Sequence, residues 1–267
     1  MSINIEIVCD IIVRAAQEEL LPRFTRVARN EKADGSVVTE ADLACQQHIA
    51  ERLRRHWPEI AFLGEEMDGR QQAELLQGPQ PLWCLDPLDG TSNFANGIPY
   101  FSVSLALIER GQVSLGLVYD PLRDECFVAD PQGARLNDEP LTPIHSGLSL
   151  QQATAIVDFK RLSPTLAQRL VSQTPYGSQR SFGSVALDWC WLAMGRGHVY
   201  LHGRANLWDY AAGEFIFRQA GGHSCTLEGE AVFVNALSGR SSVGAVDEKL
   251  FHQWTQWLEI TPPSLSR

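Results

Sequence analysis

The sequence predicts an α+β first half followed by an α/β second half, joined in one compact unit of 267 residues. Two observations carry that prediction. Between about 81 and 136, apolar β-favouring runs follow one another with only short turns between them. From about residue 150 onward, β runs alternate with helix-length segments, the rhythm of an α/β layer. The chain is long enough to bury a sizeable core, and its 44% hydrophobic and 20% charged content is that of an ordinary globular protein. No repeat, low-complexity tract or flexible linker interrupts it. The change of rhythm places a boundary near 143–148, dividing the unit into lobes at 1–145 and 146–267.

Taken in order, Ile7, Val8, Ile11 and Ile12 share one helical face, and that helix is expected to run to about Phe24. Residues 29–37 are polar and contain glycine, so they read as a loop or loose hairpin. Thr39 starts a second helix, with Asp42 three residues on as its capping partner. Its buried stripe is Cys45, Ile49, Leu53 and Trp57, and Pro58 ends it. A strand at 60–63 then presents Glu65 and Glu66. Strands at 101–108 and 113–119 flank a short polar turn, and further β runs follow at 126–129 and 134–136. In the second half, strand 153–159 precedes helix 164–172, and strand 180–182 precedes helix 185–194. Strand 199–202 feeds helix 206–219, strand 224–227 follows, and 247–258 is the last helix.

Net charge is −10, which argues against a nucleic-acid surface, because phosphate backbones are bound by Lys and Arg. An acidic protein that takes an anionic substrate needs cations at its site, which points to metals. The six cysteines (9, 45, 84, 126, 190 and 225) contain no Cys-x-x-Cys pair and read as buried thiols of a reducing compartment. Residues 1–21 carry acids among their apolar positions and no basic leader, so they read as an amphipathic helix rather than a signal peptide. No stretch is long and apolar enough for a membrane span. A cytoplasmic protein is expected. There is no His-x-x-x-His pair and no Gly-x-Ser-x-Gly elbow, so zinc-protease and serine-hydrolase chemistry lack support. Trp189, Trp191, Trp208, Trp254 and Trp257 read as packing residues.

The chemistry is concentrated in 83–94. An apolar run, Pro81 to Leu85, delivers Asp86. Pro87 is expected to stop the strand's hydrogen-bonded ladder, and Gly90 to free the backbone for a sharp turn. Asp86 and Asp89 can then converge, with Thr91 and the free amides of a short helix at 92–95 behind them. Hard oxygen ligands beside amides that can hold an anion suit Mg²⁺-assisted phosphate chemistry. Asp-Pro-x-Asp-Gly is by itself a good β-turn. With Thr91 the string fixes five letters, and chance supplies it in a chain this long roughly once in ten thousand.

Asp86-Pro-Leu-Asp89-Gly90-Thr91 resembles the signature of the inositol monophosphatase family, whose relatives include fructose-1,6-bisphosphatases and 3'(2'),5'-bisphosphate nucleotidases. The resemblance runs from Val38-Thr39-Glu-Ala-Asp42 through Leu63-Gly-Glu65-Glu66 to Trp208-Asp209-Tyr-Ala-Ala-Gly213 and Ala220-Gly-Gly222. It implies a layered αβαβα sandwich of the sugar-phosphatase type, with metals on the 1–145 lobe and substrate contacts on the 146–267 lobe. It also implies two or three Mg²⁺ per site. Glu65, Asp86 and the carbonyl of Leu88 would hold one, and Asp86, Asp89 and Asp209 a second. A weaker third would lie near Glu65 through waters. A metal-activated water would attack a phosphate monoester directly, oriented by Thr91 and Asp42, with Glu65 among the catalytic groups. Asp89, Gly90, Thr91 and Asp209 would face the phosphate and leaving group. Taken alone, Glu65 is also a plausible solvated strand-end acid, and Asp209 a first-turn acid beside the cap Asn206.

For the substrate, Gly183-Ser184-Val185 matches the family's substrate-side element, with Val in place of a smaller residue. Inositol monophosphatases carry a ring-gripping Glu seven residues before the last Asp ligand, where this chain has His202. That histidine could be a strand-end residue or a substrate contact. Arg204 could meet a second phosphate or be a solvated loop charge. Inositol-1-phosphate is the first expectation, with a bisphosphate nucleotide or fructose-1,6-bisphosphate as alternatives. The expected partners are a small phosphorylated polyol, sugar or nucleotide and a second copy in a homodimer, with neither nucleic acid nor membrane. A regulatory binding protein on the same fold is the rival class.

Overall fold

The computed structural model describes residues 3–26, 30–31 and 37–262. Helix α1 (Ile5–Ala15) is capped by the Asn4 side chain and buries Val8, Ile11, Ile12 and Ala15. The chain continues through a π turn (Ala16–Leu20) into a 3₁₀ turn (Leu21–Arg23), where Pro22 has no amide to extend an α ladder. The expected loose hairpin survives as a two-residue antiparallel ladder of β1 (Asn30–Glu31) and β2 (Val37–Val38). The rest of 29–37 lies outside the described residues. Helix α2 (Glu40–His56) starts at a capping box of Thr39 and Asp42 and buries Cys45, Ile49 and Leu53.

Strand β3 (Ala61–Gly64) lies parallel to β4 (Leu82–Asp89), with α3 (Gly69–Leu76) crossing between them. After α4 (Thr91–Ala95), an antiparallel meander follows: β5 (Ser102–Glu109), β6 (Gln112–Asp120), β7 (Glu125–Asp130), β8 (Gly133–Leu136) and β9 (Glu139–Pro140). Together these seven strands form the first sheet, in chain order from β3 to β9.

The second sheet holds β10 (Thr154–Asp158), β11 (Ser178–Arg180), β12 (Val199–Ala205), β13 (His223–Cys225) and β14 (Arg240–Ala245). Its spatial order is β11-β10-β12-β14-β13; β10 to β12 are parallel, and β14 runs antiparallel to its neighbours. The helices of this half are α5 (Pro164–Ser172), α6 (Val185–Ala193), α7 (Leu207–Gln219) and α8 (Glu248–Leu258). Helices α1 and α2 cover the outside of the first sheet. Helices α6 and α7 fill the space between the sheets, and α8 lies on the second sheet with α5 beside it. The result is the αβαβα layering that the motifs implied. Trp189 and Trp254 are fully buried in it, and Trp254 Nε1 donates to the carbonyl of Tyr200 at 2.9 Å.

Several expectations need correction. Pro87 does not end β4. Pairing lapses between Asp86 and Asp89 in a bulge and resumes where Asp89 opposes Ser102, so one strand presents both acids on an irregular bend. The strands expected at 180–182 and 224–227 sit at Ser178–Arg180 and His223–Cys225. Helix α3 and strand β14 carry no clear pattern. The helix is only eight residues long, and the strand reads Arg-Ser-Ser-Val-Gly-Ala. Small residues are needed there: a Cβ at Gly244 would come within 2.8 Å of the Trp189 ring.

Gly213 of the Trp208–Gly213 anchor has a packing role of the same kind. A Cβ there would lie 2.9 Å from the carbonyl oxygen of Ala186 and 3.0 Å from Cβ of Trp189, both on α6. Gly213→Ala should therefore force α6 and α7 apart and cost about 1–3 kcal/mol in urea unfolding. Wild-type stability in that variant would show that the two helices can separate freely.

Candidate active site

The site forms where four elements meet: the turn after β3, the β4 bulge, and the N-terminal ends of α6 and α7. Each acid is fixed by local chemistry. Asp86 is buried at the bulge, where its Oδ1 accepts the amide of Leu88 at 2.9 Å. Asp89 is also buried, and its Oδ2 accepts the Ser184 hydroxyl at 2.6 Å and the Ala186 amide at 2.7 Å. It therefore occupies the positive end of α6. Asp209 lies in the first turn of α7 and accepts the Asn206 amide at 2.7 Å, completing a capping box. Its capping role and a ligand role are compatible. Glu65 follows β3, its amide donating to the carbonyl of Leu85 at 3.0 Å.

Charge binds these acids into one group. Burial, then Glu65, Asp89 and Asp209, push the Asp86 carboxyl well above the usual range. Burial raises Asp209 as well, although one edge stays open to solvent; Glu65 and Asp89 add to the rise and Arg161 opposes it. Asp89 is pushed up to about 6, chiefly by burial, against the relief given by Ser184 and the amides of α6. Among the described residues, no three of these four acids bring carboxylate oxygens within 4.8 Å of one another. The donor set is nonetheless made of hard oxygens that hold negative charge in a buried place, and it fits a divalent cation such as Mg²⁺.

Beside the acids stands the pair expected to handle the water. Thr91 Oγ1 lies 3.1 Å from Asp42 Oδ1 and 3.0 Å from the Leu88 carbonyl. The other Asp42 oxygen accepts the Thr39 amide at 2.8 Å and its hydroxyl at 2.6 Å. Burial pushes Asp42 up to about 6, against these bonds. Gly90 takes φ +96°, which frees the turn that presents Thr91.

Of the predicted substrate contacts, Val185, His202 and Asp209 line one cleft of about 320 Å³ together with Lys160, Arg161 and Arg204. Ser184 is fully buried and turns its hydroxyl to Asp89, so in this structure it positions an acid. His202 Nδ1 accepts the Arg204 amide at 3.3 Å, which assigns the ring proton to Nε2, 3.4 Å from Asp158. That contact holds the Asp158 carboxyl below its ordinary range. Sequence reasoning missed the residues that hold the turns. Gln72 donates to the carbonyl oxygens of Gly64 (2.8 Å) and Glu65 (3.2 Å), and Gln46 accepts the Glu66 amide at 3.1 Å. Asn93 donates to Tyr100 and Phe182, both at 2.7 Å, tying α4 to the loop before Ser184. None of these contacts has a local sequence signal.

Residues 5–256 match the model of the inositol monophosphatase family. The chain belongs to that family. It is 36% identical over 207 residues to a protein of Pasteurella multocida named Nus factor SuhB, covering 74% of each chain. To the fructose-1,6-bisphosphatase/inositol-1-monophosphatase of Thermotoga maritima it is 31% identical over 252 residues, 89% of this chain and 93% of that one. Among solved structures, the extragenic suppressor protein suhB of Bartonella henselae superposes with a TM-score of 0.82 at 26% identity, covering 96% of this chain and 98% of the other. The family is one of metal-dependent phosphatases, and this chain is a phosphoric monoester hydrolase of that type. No described helix is long and apolar enough to cross a membrane.

The raised acids set a stability test. Asp42 and Asp89 bind protons more tightly folded, at about 6, than unfolded, at about 4. Protein stripped of divalent cations should therefore lose unfolding free energy as pH rises from about 4 to about 6. Excess Mg²⁺ should restore it above pH 6. Urea unfolding across that range, with chelator and with Mg²⁺, reads both effects, and a flat chelated curve would contradict the assignment.

Proposed function

We propose that this protein hydrolyses a small phosphate monoester, inositol-1-phosphate first, with Mg²⁺ held by Glu65, Asp86, the Leu88 carbonyl, Asp89 and Asp209. The observation that carries the reading is the hydrogen bond from Thr91 to Asp42 at the edge of the acid group. Bound Mg²⁺ supplies Lewis acidity, lowering the pKa of water and neutralising charge on the phosphoryl oxygens. The rest falls to the protein. By donating to Asp42, Thr91 keeps its Oγ1 lone pairs free to accept a proton from the attacking water. Asp42 is ionised at neutral pH and receives the Thr91 proton in turn. The amides of Gly90 and Thr91 face the phosphate oxygens. Asp89 is held against α6, so its orientation survives without substrate.

A second reading of the substrate rests on the cleft beside Asp209. Both ring nitrogens of His202 are engaged by Arg204 and Asp158, so the histidine offers little to a ring hydroxyl. Lys160, Arg161 and Arg204 are all exposed in that wall of a chain with net charge −10. This favours a leaving group with an anion of its own, as in fructose-1,6-bisphosphate or a nucleoside bisphosphate. The relatives named Nus factor also keep a non-catalytic binding role in view.

Thr91→Ala and Asp89→Asn should each lower kcat by about 10²–10⁴ while circular dichroism stays native, and near-normal turnover in either would overturn the assignment. Phosphate release from inositol-1-phosphate, fructose-1,6-bisphosphate, 3'-phosphoadenosine 5'-phosphate and histidinol phosphate, with and without Mg²⁺, ranks the substrates. Silence across the panel favours the binding role. If the bisphosphate reading holds, Arg204→Ala should raise KM for a bisphosphate and leave KM for inositol-1-phosphate unchanged; equal effects on both would reject it.

A further inference from the structure

Two of the six cysteines are unlike the rest. Cys45, Cys84, Cys190 and Cys225 are buried in the cores, and burial raises each of their thiols. Cys9 on α1 and Cys126 on β7 are only partly buried. Their sulfurs lie 3.9 Å apart, with the Cys126 thiol donating to Cys9 Sγ. Both line a cleft of about 350 Å³ that also holds Arg135, giving a small oxidant a path to them. Their positions are well fixed. Cys9 sits within the capped helix α1, and the Cys126 amide donates to Asn137 Oδ1 at 2.9 Å while the residue pairs with Tyr119 on β6. A disulfide needs an S–S distance of about 2.05 Å, so modest side-chain rotation would close the gap.

We propose that Cys9 and Cys126 form a peroxide-reactive dithiol site, with Cys9 the attacking and Cys126 the resolving sulfur. The geometry of the pair assigns the roles: the Cys126 thiol donates to Cys9 Sγ, and Arg135 lines the same cleft. That hydrogen bond first, then Arg135, lower the Cys9 thiol against its burial and Asp138. A partly exposed thiol that accepts a hydrogen bond from a second cysteine is an arrangement suited to peroxide sensing. In the first step the Cys9 thiolate attacks hydrogen peroxide. The O–O bond breaks, hydroxide leaves, and Cys9 becomes a sulfenic acid. In the second, Cys126 sulfur attacks Cys9 sulfur, the S–O bond breaks, and the hydroxyl departs with the Cys126 proton as water. Each peroxide is reduced by two electrons and each dithiol oxidised by two. A small dithiol reverses the bond by exchange. The product joins α1 to the first sheet across a long loop, so it should raise the thermal midpoint.

The test treats the full chain with a small molar excess of hydrogen peroxide and maps its peptides by mass spectrometry without reduction. The expected result is a Cys9–Cys126 peptide pair two hydrogens lighter than the free peptides, lost on adding dithiothreitol, with the other four thiols intact. In Cys126→Ser, dimedone should trap the sulfenic acid on Cys9. In Cys9→Ser, the same dose should leave Cys126 unlabelled. Wild-type protein that keeps both thiols free, or that passes to sulfinic acid at Cys9 without a crosslink, would overturn the proposal. So would oxidation of the buried cysteines at an equal rate. The wild-type map decides the matter even if a serine variant folds poorly.

Discussion

The crowding of carboxylates around Asp86 is the constraint to which the rest of the molecule answers. An acid at the bulge of a buried strand, with Glu65, Asp89 and Asp209 close enough to raise its proton affinity, is costly to fold without positive charge nearby. The fold supplies part of that charge from backbone. Asp89 is set against the amides of α6, and Asp209 caps α7. These bonds fix where the acids point without neutralising them. A group so arranged is suited to a divalent cation, and binding one converts a folding cost into a folding gain.

The same contacts join the two halves of the chain. Asp89 belongs to the first sheet, and the groups that hold it belong to the helix following β11. Asn93 reaches from α4 to the carbonyl of Phe182, and Tyr100 donates to buried Asp188 at 2.9 Å. The motif bend and the start of α6 are thus one rigid assembly. Gly213 lets α7 approach α6 closely and so fixes Asp209 against it. The geometry of the acids depends on the packing of α6 against α7 behind the cleft.

Much of this was legible in the chain because it is local. The Thr39–Asp42 capping box, the α2 stripe and the Asp86-to-Thr91 bend are all set by residues within a few positions of one another, and each lies where expected. The partners Gln46, Gln72 and Asn93 act across turns or between halves, and a glutamine or asparagine in sequence gives no sign of which carbonyl it will meet. Strand β14 escaped notice for a different reason. Its residues are small because two aromatic side chains rest on it, and that demand comes from tertiary packing. Pro87 misled in the opposite direction: a local rule forbids the ladder bond, but a bulge lets the strand resume two residues later. The cysteines read as uniformly buried because nothing in their spacing shows that α1 lies beside β7.

The division between legible and hidden follows the chemistry. Attack on phosphorus needs the same few oxygens whatever the alcohol, so one motif can encode it in consecutive residues. The wall proposed to meet the leaving group is separate, and lies where Asp158, the last residue of β10, opposes His202 within β12. On that wall His202 is held between Asp158 and the Arg204 amide. On the proposed reading, a wall with this fixed pair offers a substrate exposed cations rather than a free acceptor. The reactive centre need not change at all. Under the proposed function, the choice between neutral and anionic leaving groups therefore rests on this wall, while Asp86, Asp89 and Thr91 serve the reaction at phosphorus whatever the alcohol.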